Sequence, residues 1–457
     1  MKKMFTIIAL LAMVGGSLFA NAQKDAGAAS AGAGQKTVVF YSWWADAEKS
    51  MGDALIDDFE AAHPDIKVER NFIAYADYAA KLNTMIASNS APDVMFLNEY
   101  LISEWGEKGT TADLNPYYAK AGVDPAKFFI PAALYANGGK LWGVAATSTT
   151  TVLYYNKEMF SAAGITLPPD SAAKPWGWAD YVAAATKLTK DSSGKTPADA
   201  GFNYNDVIQW GTTLPSSWIY VLPLLYAGGS SVANADGTAL EINKAAGVAA
   251  IQAMADLALK NKVAQTAAMS NAQAFTGLPA MLMNGQLGMF VGGTFQMGDF
   301  ENEGYDVGIA QIPSNANPPK GSNMVWSSAY VMKKDASDEA FALISYLNDF
   351  NNWVKASTNH SVGLTGLPQT VTTLTSGTPQ FDAWTKLYPA SMAKVSGDIL
   401  NNASRIGENV TLKNFSVIMD QTIAPLIDEI WLGQKTAADA FSGLDAALKP
   451  QLQGAYH

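Results

Sequence analysis

Tryptophans beside small polar groups are the side chains of this chain best suited to chemistry. Trp43 and Trp44 follow the apolar run Thr37–Tyr41, Asn98 and Glu99 follow the run Pro92–Leu97, and Trp326 stands next to Ser327 and Ser328. Trp218 lies in a stretch punctuated by Gly, Pro and Ser, Gln209–Ser231, which reads as irregular backbone of the kind that often carries binding residues. Flat apolar rings beside amides and carboxylates suit a sugar, since rings cover its C–H faces and polar groups take its hydroxyls. Packing competes for the same rings. One member of the adjacent Trp43–Trp44 pair is expected to lie on the sheet, and Trp218 is divided evenly between packing and binding.

Covalent and metal chemistry find little support. The three histidines, His63, His360 and His457, include no His-x-x-x-His pair, and no G-x-S-x-G elbow frames a serine. Gly194–Thr196 imitates the end of a phosphate-binding loop, but Thr189 stands where that loop requires glycine. The carboxylate pairs Asp57/Asp58 and Glu301/Glu303 lack an aromatic neighbourhood, and the first sits on the solvated side of an amphipathic helix. No catalytic residue, metal ligand or cofactor site is therefore expected.

The elements that must position the rings are legible from periodicity. Thr37–Tyr41 reads as a buried strand; Met51, Leu55 and Phe59 recur at helical spacing before His63–Pro64 stops them. A strand at Ile66–Val68, a helix marked by Tyr78, Leu82, Met85 and Ile86, and the Pro92–Leu97 strand follow. This alternation predicts a parallel sheet, whose ligands bind beyond the carboxyl ends of its strands. Further on, Val152–Asn156 reads as a buried strand and Lys157–Ala163 as helical turns stopped by Gly164. Helices are expected over Ala245–Leu259 and Ala336–Phe350.

Composition sets the compartment and the partners. Lys2, Lys3, the apolar run Phe5–Val14 and Ala20–Ala22 read as a secretory signal over residues 1–22, followed by an Ala/Gly/Ser-rich leader over 23–35. The chain has no cysteine, so a lipidated anchor and disulfides are ruled out and a free periplasmic protein is expected. A net charge of -11 argues against nucleic acid. Only Arg70 and Arg405 could offer a guanidinium to an acidic sugar. The length suits two lobes with separate cores.

A series of motifs extends these readings. FEAAHPDIKV (59–68), APDVMFLN (91–98), LWGVAATSTTTVLYYNKEMFSAAGITLPP (141–169) and WADY (178–181) are followed by FTGLPAM (275–281), GQLGMF (285–290) and Tyr305–Ala310 with Pro313. Met324–Met332 and the Gly-Leu-Pro turn ending at Pro368 complete the series. In order and spacing, over residues 36–368, it resembles bacterial extracellular solute-binding protein family 1, the maltose-binding-protein-like sugar-capturing subunits of ABC importers. The resemblance implies a two-lobed α/β fold of the periplasmic binding protein type II, each lobe a mostly parallel sheet flanked by helices. It implies lobe 1 over 36–146 and 305–360, and lobe 2 over 147–304 and 361–457 with a helical C-terminal part, with crossings near 146, 304 and 360. It adds Thr294 and Phe295, just after the Gly-x-x-Gly-Met-Phe element, as ligand-proximal residues. Ser327–Ser328 replace the family's usual Gly-Gly, which would narrow the cleft.

The implied function is reversible capture of a mono- or oligosaccharide between the lobes, by a monomer that delivers it to the transmembrane permease subunits of an ABC transporter. The expected ligand contacts are Trp43, Trp44, Asn98, Glu99, Trp218, Thr294, Phe295 and Trp326. Two alternatives stand beside this reading: a binding protein for a polyamine or metal complex, and a secreted carbohydrate-active enzyme.

Overall fold

Runs of apolar residues long enough for both faces of a sheet become the strands that carry the chain's first lobe. The computed structural model describes residues 35–129, 133–145, 149–169, 171–215, 217–267, 277–362 and 404–456, with Lys386. In chain order the strands are β1 (Lys36–Ser42), β2 (Ile66–Phe72), β3 (Val94–Leu97), β4 (Leu134–Asn137), β5 (Lys140–Ala145) and β6 (Thr149–Tyr155). They continue as β7 (Lys190–Asp191), β8 (Val207–Gln209), β9 (Met289–Gly293), β10 (Gly308–Ala310), β11 (Asn323–Trp326), β12 (Ala329–Met332) and β13 (Ser404–Ile406).

The first sheet has the order β2-β1-β3-β12-β5-β4. Its first three strands are parallel, as the strand–helix alternation requires, with β1 central and fully buried at Val38 and Phe40. The helices Asp46–Ala62 and Tyr75–Ala87 make the crossovers. Returning strand β12 enters antiparallel to both β3 and β5, so the sheet is mixed rather than mostly parallel. The second sheet departs further: β6 is antiparallel to β9, β10 and β11, and only β11 and β13 run parallel.

Every residue of β6 is buried, which explains its uninterrupted apolar and threonine sequence. Its side chains divide by the two-residue period of a strand. Val152 and Tyr154, with Phe290, Ile309 and Val325, pack with Leu278, Leu282 and Phe300. Leu153 and Tyr155, with Met289, Val291, Met324 and Trp326, pack with the helices Trp218–Ala227 and Ala245–Leu259 and the C-terminal helices. Beyond β6, Asn156 caps the helix Lys157–Ala162 by accepting the Met159 amide at 2.9 Å, and Gly164 ends it in the left-handed region at φ 61°.

The expected lobe boundaries need one clear correction. Tyr305–Ala310 does not return to the first lobe: β10 pairs with β6, and β11 after it pairs with β6 and β13. The return comes between β11 and β12, at Ser327–Ser328, some twenty residues later than residue 305. The outward crossing lies between Ala145 of the first sheet and Thr149 of the second, bracketing the expected residue 146. Near residue 360 the helix Phe350–His360 is still on the first lobe, where His360 pairs with Asp58 at 2.9 Å. The third crossing therefore falls between Val362 and Ser404, outside the described residues. The expected signal segment, the leader short of Gln35, residues 275–276 and the turn at 366–368 also lie outside them.

A second correction concerns Gln209–Ser231. Trp218–Ala227 is an α-helix that tolerates Pro223 in its interior. Tyr220 to Ala227 are all buried, so the helix is apolar on every side and shows no amphipathic period to read.

Candidate functional site

Three parallel strands of the first lobe end side by side and hand their next residues to one place. After β1 comes Trp43, after β2 comes Tyr75 at the start of its helix, and after β3 come Asn98, Glu99 and Tyr100 opening the helix Glu99–Glu107. Trp43 is half-buried, with its ring centroid 5.5 Å from Tyr75, 5.0 Å from Tyr78 and 4.6 Å from Phe96. Its neighbour turns the other way. Trp44 is 5% exposed among Phe40, Phe72, Phe96 and Tyr330, and a Cβ on Gly52 would lie 2.1 Å from its ring. The expected ligand contact at Trp44 is thus corrected to a core position, because successive residues leaving a strand face opposite sides.

Asn98 and Glu99 are buried at the mouth of the helix. The Asn98 Nδ2 donates to the Tyr100 hydroxyl at 3.4 Å, and its side chain also hydrogen bonds with the Tyr75 hydroxyl. Glu99, 3% exposed, accepts the Asn409 Nδ2 on Oε1 at 2.8 Å; Asn409 comes from the second lobe, on the helix Glu408–Thr411 that packs against Glu99–Glu107. Its Oε2 is buried without a partner. Burial pushes the Glu99 carboxyl up to about 7, against the lowering effect of the backbone amide at the helix start and of Asn409.

The second lobe answers with rings and one more carboxylate. Trp218, first residue of its helix and half-buried, meets Tyr100 edge-on at 6.1 Å and Phe415 at 5.2 Å, while Tyr100 and Phe415 lie 6.3 Å apart. The helix Phe415–Ile418 runs into a single π turn, Met419–Ile423, which carries Asp420. Asp420 accepts the Ser416 hydroxyl at 2.9 Å, and burial raises its carboxyl. Glu99 and Asp420 both act on Tyr75, whose hydroxyl is pushed up to about 12 by burial first and these charges next, and both raise Tyr100 in the same way. Tyr75 nevertheless keeps 52% of its surface exposed, so the group opens to solvent at this ring.

Trp43, Asn98, Glu99 and Trp218 are therefore brought together, with Tyr75, Tyr100, Asn409, Phe415 and Asp420 as additions. The remaining expected contacts serve the second sheet. Thr294 is fully buried and its hydroxyl accepts the Thr150 amide at 3.2 Å, fixing the start of β6. Phe295 is folded over Gly293, where a Cβ would meet its ring at 2.4 Å. Trp326, 9% exposed, stands opposite Thr149 in the sheet and packs in the second core. Thr294, Phe295 and Trp326 thus frame the start of β6, next to the crossing between lobes. The following residue, Ser327, accepts the Tyr135 hydroxyl on its carbonyl, and the Glu99 charge helps raise that tyrosine.

Of the carboxylate pairs read from the sequence, the first is engaged elsewhere: Asp57 pairs with Arg70 at 2.6 Å and Asp58 with His360. Glu301, lifted to about 7 by burial, lies on the short helix Met297–Asn302. Among the described residues no group of three or more His, Asp or Glu side chains could hold a metal ion, and no helix is long and apolar enough to cross a membrane.

Comparison with known proteins places this geometry in context. The fold is similar to that of an ABC substrate-binding protein from Listeria monocytogenes in complex with cycloalternan, with a TM-score of 0.76 and 23% identity over 91% of this chain and 98% of that one. It is also similar to a maltose/maltodextrin-binding domain from Bdellovibrio bacteriovorus bound to maltotriose, with a TM-score of 0.73 and 17% identity over 91% of this chain and all of that one. A binding protein of Brucella abortus is 23% identical over 301 residues, 63% of this chain and 66% of that protein, so the match spans just under two thirds of its relative. The model of the bacterial extracellular solute-binding protein family matches residues 54–387, well over half the chain, and the protein belongs to that family.

Proposed function

We propose that the protein is the substrate-binding component of an ABC importer, capturing a carbohydrate between its lobes and delivering it to a membrane permease. One observation carries the reading: half-buried rings and hydrogen-bonding side chains from three strand ends of the first lobe meet a ring and an amide from the second. Trp43, Tyr75 and Trp218 would stack on sugar faces, while Asn98, Glu99 and Asn409 would take hydroxyls. Holding the ligand from both sides makes lobe closure part of binding, as in the periplasmic binding proteins that exemplify hinge closure. The similar folds with cycloalternan and maltotriose bound support a sugar as the ligand class. The protein acts as a free monomer in the periplasm, without chemical change to its ligand.

The test is a thermal-shift screen of the chain from residue 23 onward against mono- and oligosaccharides, polyamines and metal chelates. A ligand that binds only the native state raises the melting temperature, by about 2.7 kcal/mol of added stability at a hundredfold excess over Kd. A shift with one sugar class, recovered intact, is expected. A response confined to polyamines or chelates, or a cleaved sugar, would refute the reading.

A further inference from the structure

We propose that the second lobe carries a binding site for a small monocarboxylate, apart from the cleft between the lobes, in a cavity where the Arg405 guanidinium takes the carboxylate. The site does not depend on the carbohydrate reading and goes beyond it in naming a second class of ligand.

The cavity measures about 230 Å³, below the roughly 300–1,000 Å³ of pockets for drug-sized ligands, so its occupant is small. Three segments wall it: the turn 231–237, the strand β13 with the helix Glu408–Thr411 that follows, and the chain end at Ala455. Each segment is tied down. Arg405 stands opposite Met324 in the parallel pairing of β13 with β11. The Asn234 Oδ1 accepts the Thr238 and Ala239 amides at 2.8 and 3.0 Å, which fixes the turn. Ala455 bridges to Leu412, and the Gly454 amide donates to the Gly237 carbonyl at 3.1 Å. Asn409, on the same turn of helix as Glu408 and Thr411, is not part of the lining and reaches Glu99 of the first lobe instead.

The lining holds one acidic and one basic side chain, and the two are engaged differently. Glu408, 5% exposed, is occupied by the chain's own donors: its Oε2 accepts the Val232 amide at 2.8 Å and the Tyr226 hydroxyl at 3.2 Å, and its Oε1 the Ala233 amide at 2.8 Å. Arg405 is exposed, and its guanidinium carbon lies 4.0 Å from the Tyr226 ring centroid. Among the described residues its side chain makes no ion pair and no hydrogen bond. Contact with the ring orients the planar head without using its N–H donors. A guanidinium fork at the wall of a cavity matches a carboxylate, which accepts two parallel hydrogen bonds and returns the charge. A cation would meet repulsion from Arg405, and a neutral amide would accept a hydrogen bond without charge. A dianion would be undercompensated, because Glu408 is near enough for the two charges to act on each other.

Calorimetry on the chain from residue 23 onward tests the proposal, with acetate, propionate and butyrate, the amide of each, and inorganic phosphate. A carboxylate is expected to bind about tenfold or more tightly than its amide and than phosphate, the margin a charged hydrogen-bonding partner has over a neutral one. Arg405→Gln should reduce carboxylate affinity about tenfold or more, and Arg405→Lys, which keeps the charge and loses the fork, by a smaller factor. The lysine variant carries the test if Arg405→Gln does not fold. Trp43→Ala and Trp218→Ala should leave carboxylate affinity unchanged. Absence of carboxylate binding, equal binding of the amide, tighter binding of phosphate, or an affinity unchanged in both Arg405 variants overturns the proposal and leaves the carbohydrate reading standing. A carboxylate affinity that falls in Trp43→Ala or Trp218→Ala and survives in Arg405→Gln puts the ligand in the cleft and also overturns it.

Discussion

At the scale of single residues, neighbouring side chains of the same type have opposite uses. Trp43 is half-buried and is proposed to meet the ligand, whereas Trp44 fills the core, so the two alanine variants should differ in their effects on binding and stability. Trp44→Ala is expected to cost about 3–5 kcal/mol in chemical denaturation, as buried tryptophans do. Trp43→Ala, half-buried against Tyr78 and Phe96, should cost less stability than Trp44→Ala and weaken sugar binding about tenfold, worth about 1.4 kcal/mol. Glu99 gives a pH signature. Its folded carboxyl is raised from 4.5 to about 7, so the native chain keeps a proton that the unfolded chain has lost within that interval. Stability from this group is present below pH 4.5 and declines as pH rises through 7. Glu301 and Asp420 shift in the same direction, so the informative quantity is a difference between variants. Glu99→Gln should raise ligand-free stability at pH 8 by about 3 kcal/mol relative to pH 4.5, measured by denaturation against wild type. An identical pH profile in the two proteins would show that Glu99 is not desolvated.

At the scale of elements, what the sequence made legible follows from whether an element has one apolar face or two. The helix Asp46–Ala62 alternates buried and exposed positions and was readable from Met51, Leu55 and Phe59. β6 is buried along its whole length, and its short apolar run between turn signals marked it as a strand. Trp218–Ala227 is buried from Tyr220 onward but contains Pro223, and neither periodicity nor propensity distinguishes it from loop. Strand direction was out of reach for a different reason: β10 and β11 are three and four residues long, and only their pairing with β6 assigns them to the second lobe. The proposed site was half legible. Trp43, Asn98 and Glu99 follow from the rule for strand ends, which also points to Tyr75 after β2, whereas Asn409, Phe415 and Asp420 lie beyond residue 360, where motif order gives no guide. Packing between elements adds a further expectation. Gly52 brings the first helix against Trp44 at a distance that leaves no room for a methyl group. Gly52→Ala, despite its better helix propensity, should destabilise the protein by about 1–3 kcal/mol in a denaturant titration. A neutral or stabilising result would mean that the ring moves freely.

At the scale of the whole molecule, the chain leaves the first sheet after β5, builds the second around β6, and returns at Ser327–Ser328. The residues that bound these two connections are paired, with Ala145 opposite Ala329 and Thr149 opposite Trp326, and the Tyr135 hydroxyl donates to the Ser327 carbonyl. On the proposed reading, a pivot here would let the lobes part and then restore the Asn409–Glu99 hydrogen bond and the Trp218–Tyr100 contact seen in this structure as they close. Small-angle scattering should therefore show a smaller radius of gyration on addition of a sugar that binds, and an unchanged radius would argue for a rigid site on one lobe. The central claim is that one ligand is held from both lobes, and the most direct measurement is calorimetric titration of the sugar identified by screening into wild type, Trp43→Ala, Trp218→Ala and the double variant. Each single variant is predicted to lose about tenfold in affinity, with the double variant losing at least as much as the two together. Wild-type affinity in either single variant would mean that its lobe does not hold the sugar, and the account of a ligand bound between the lobes would fail.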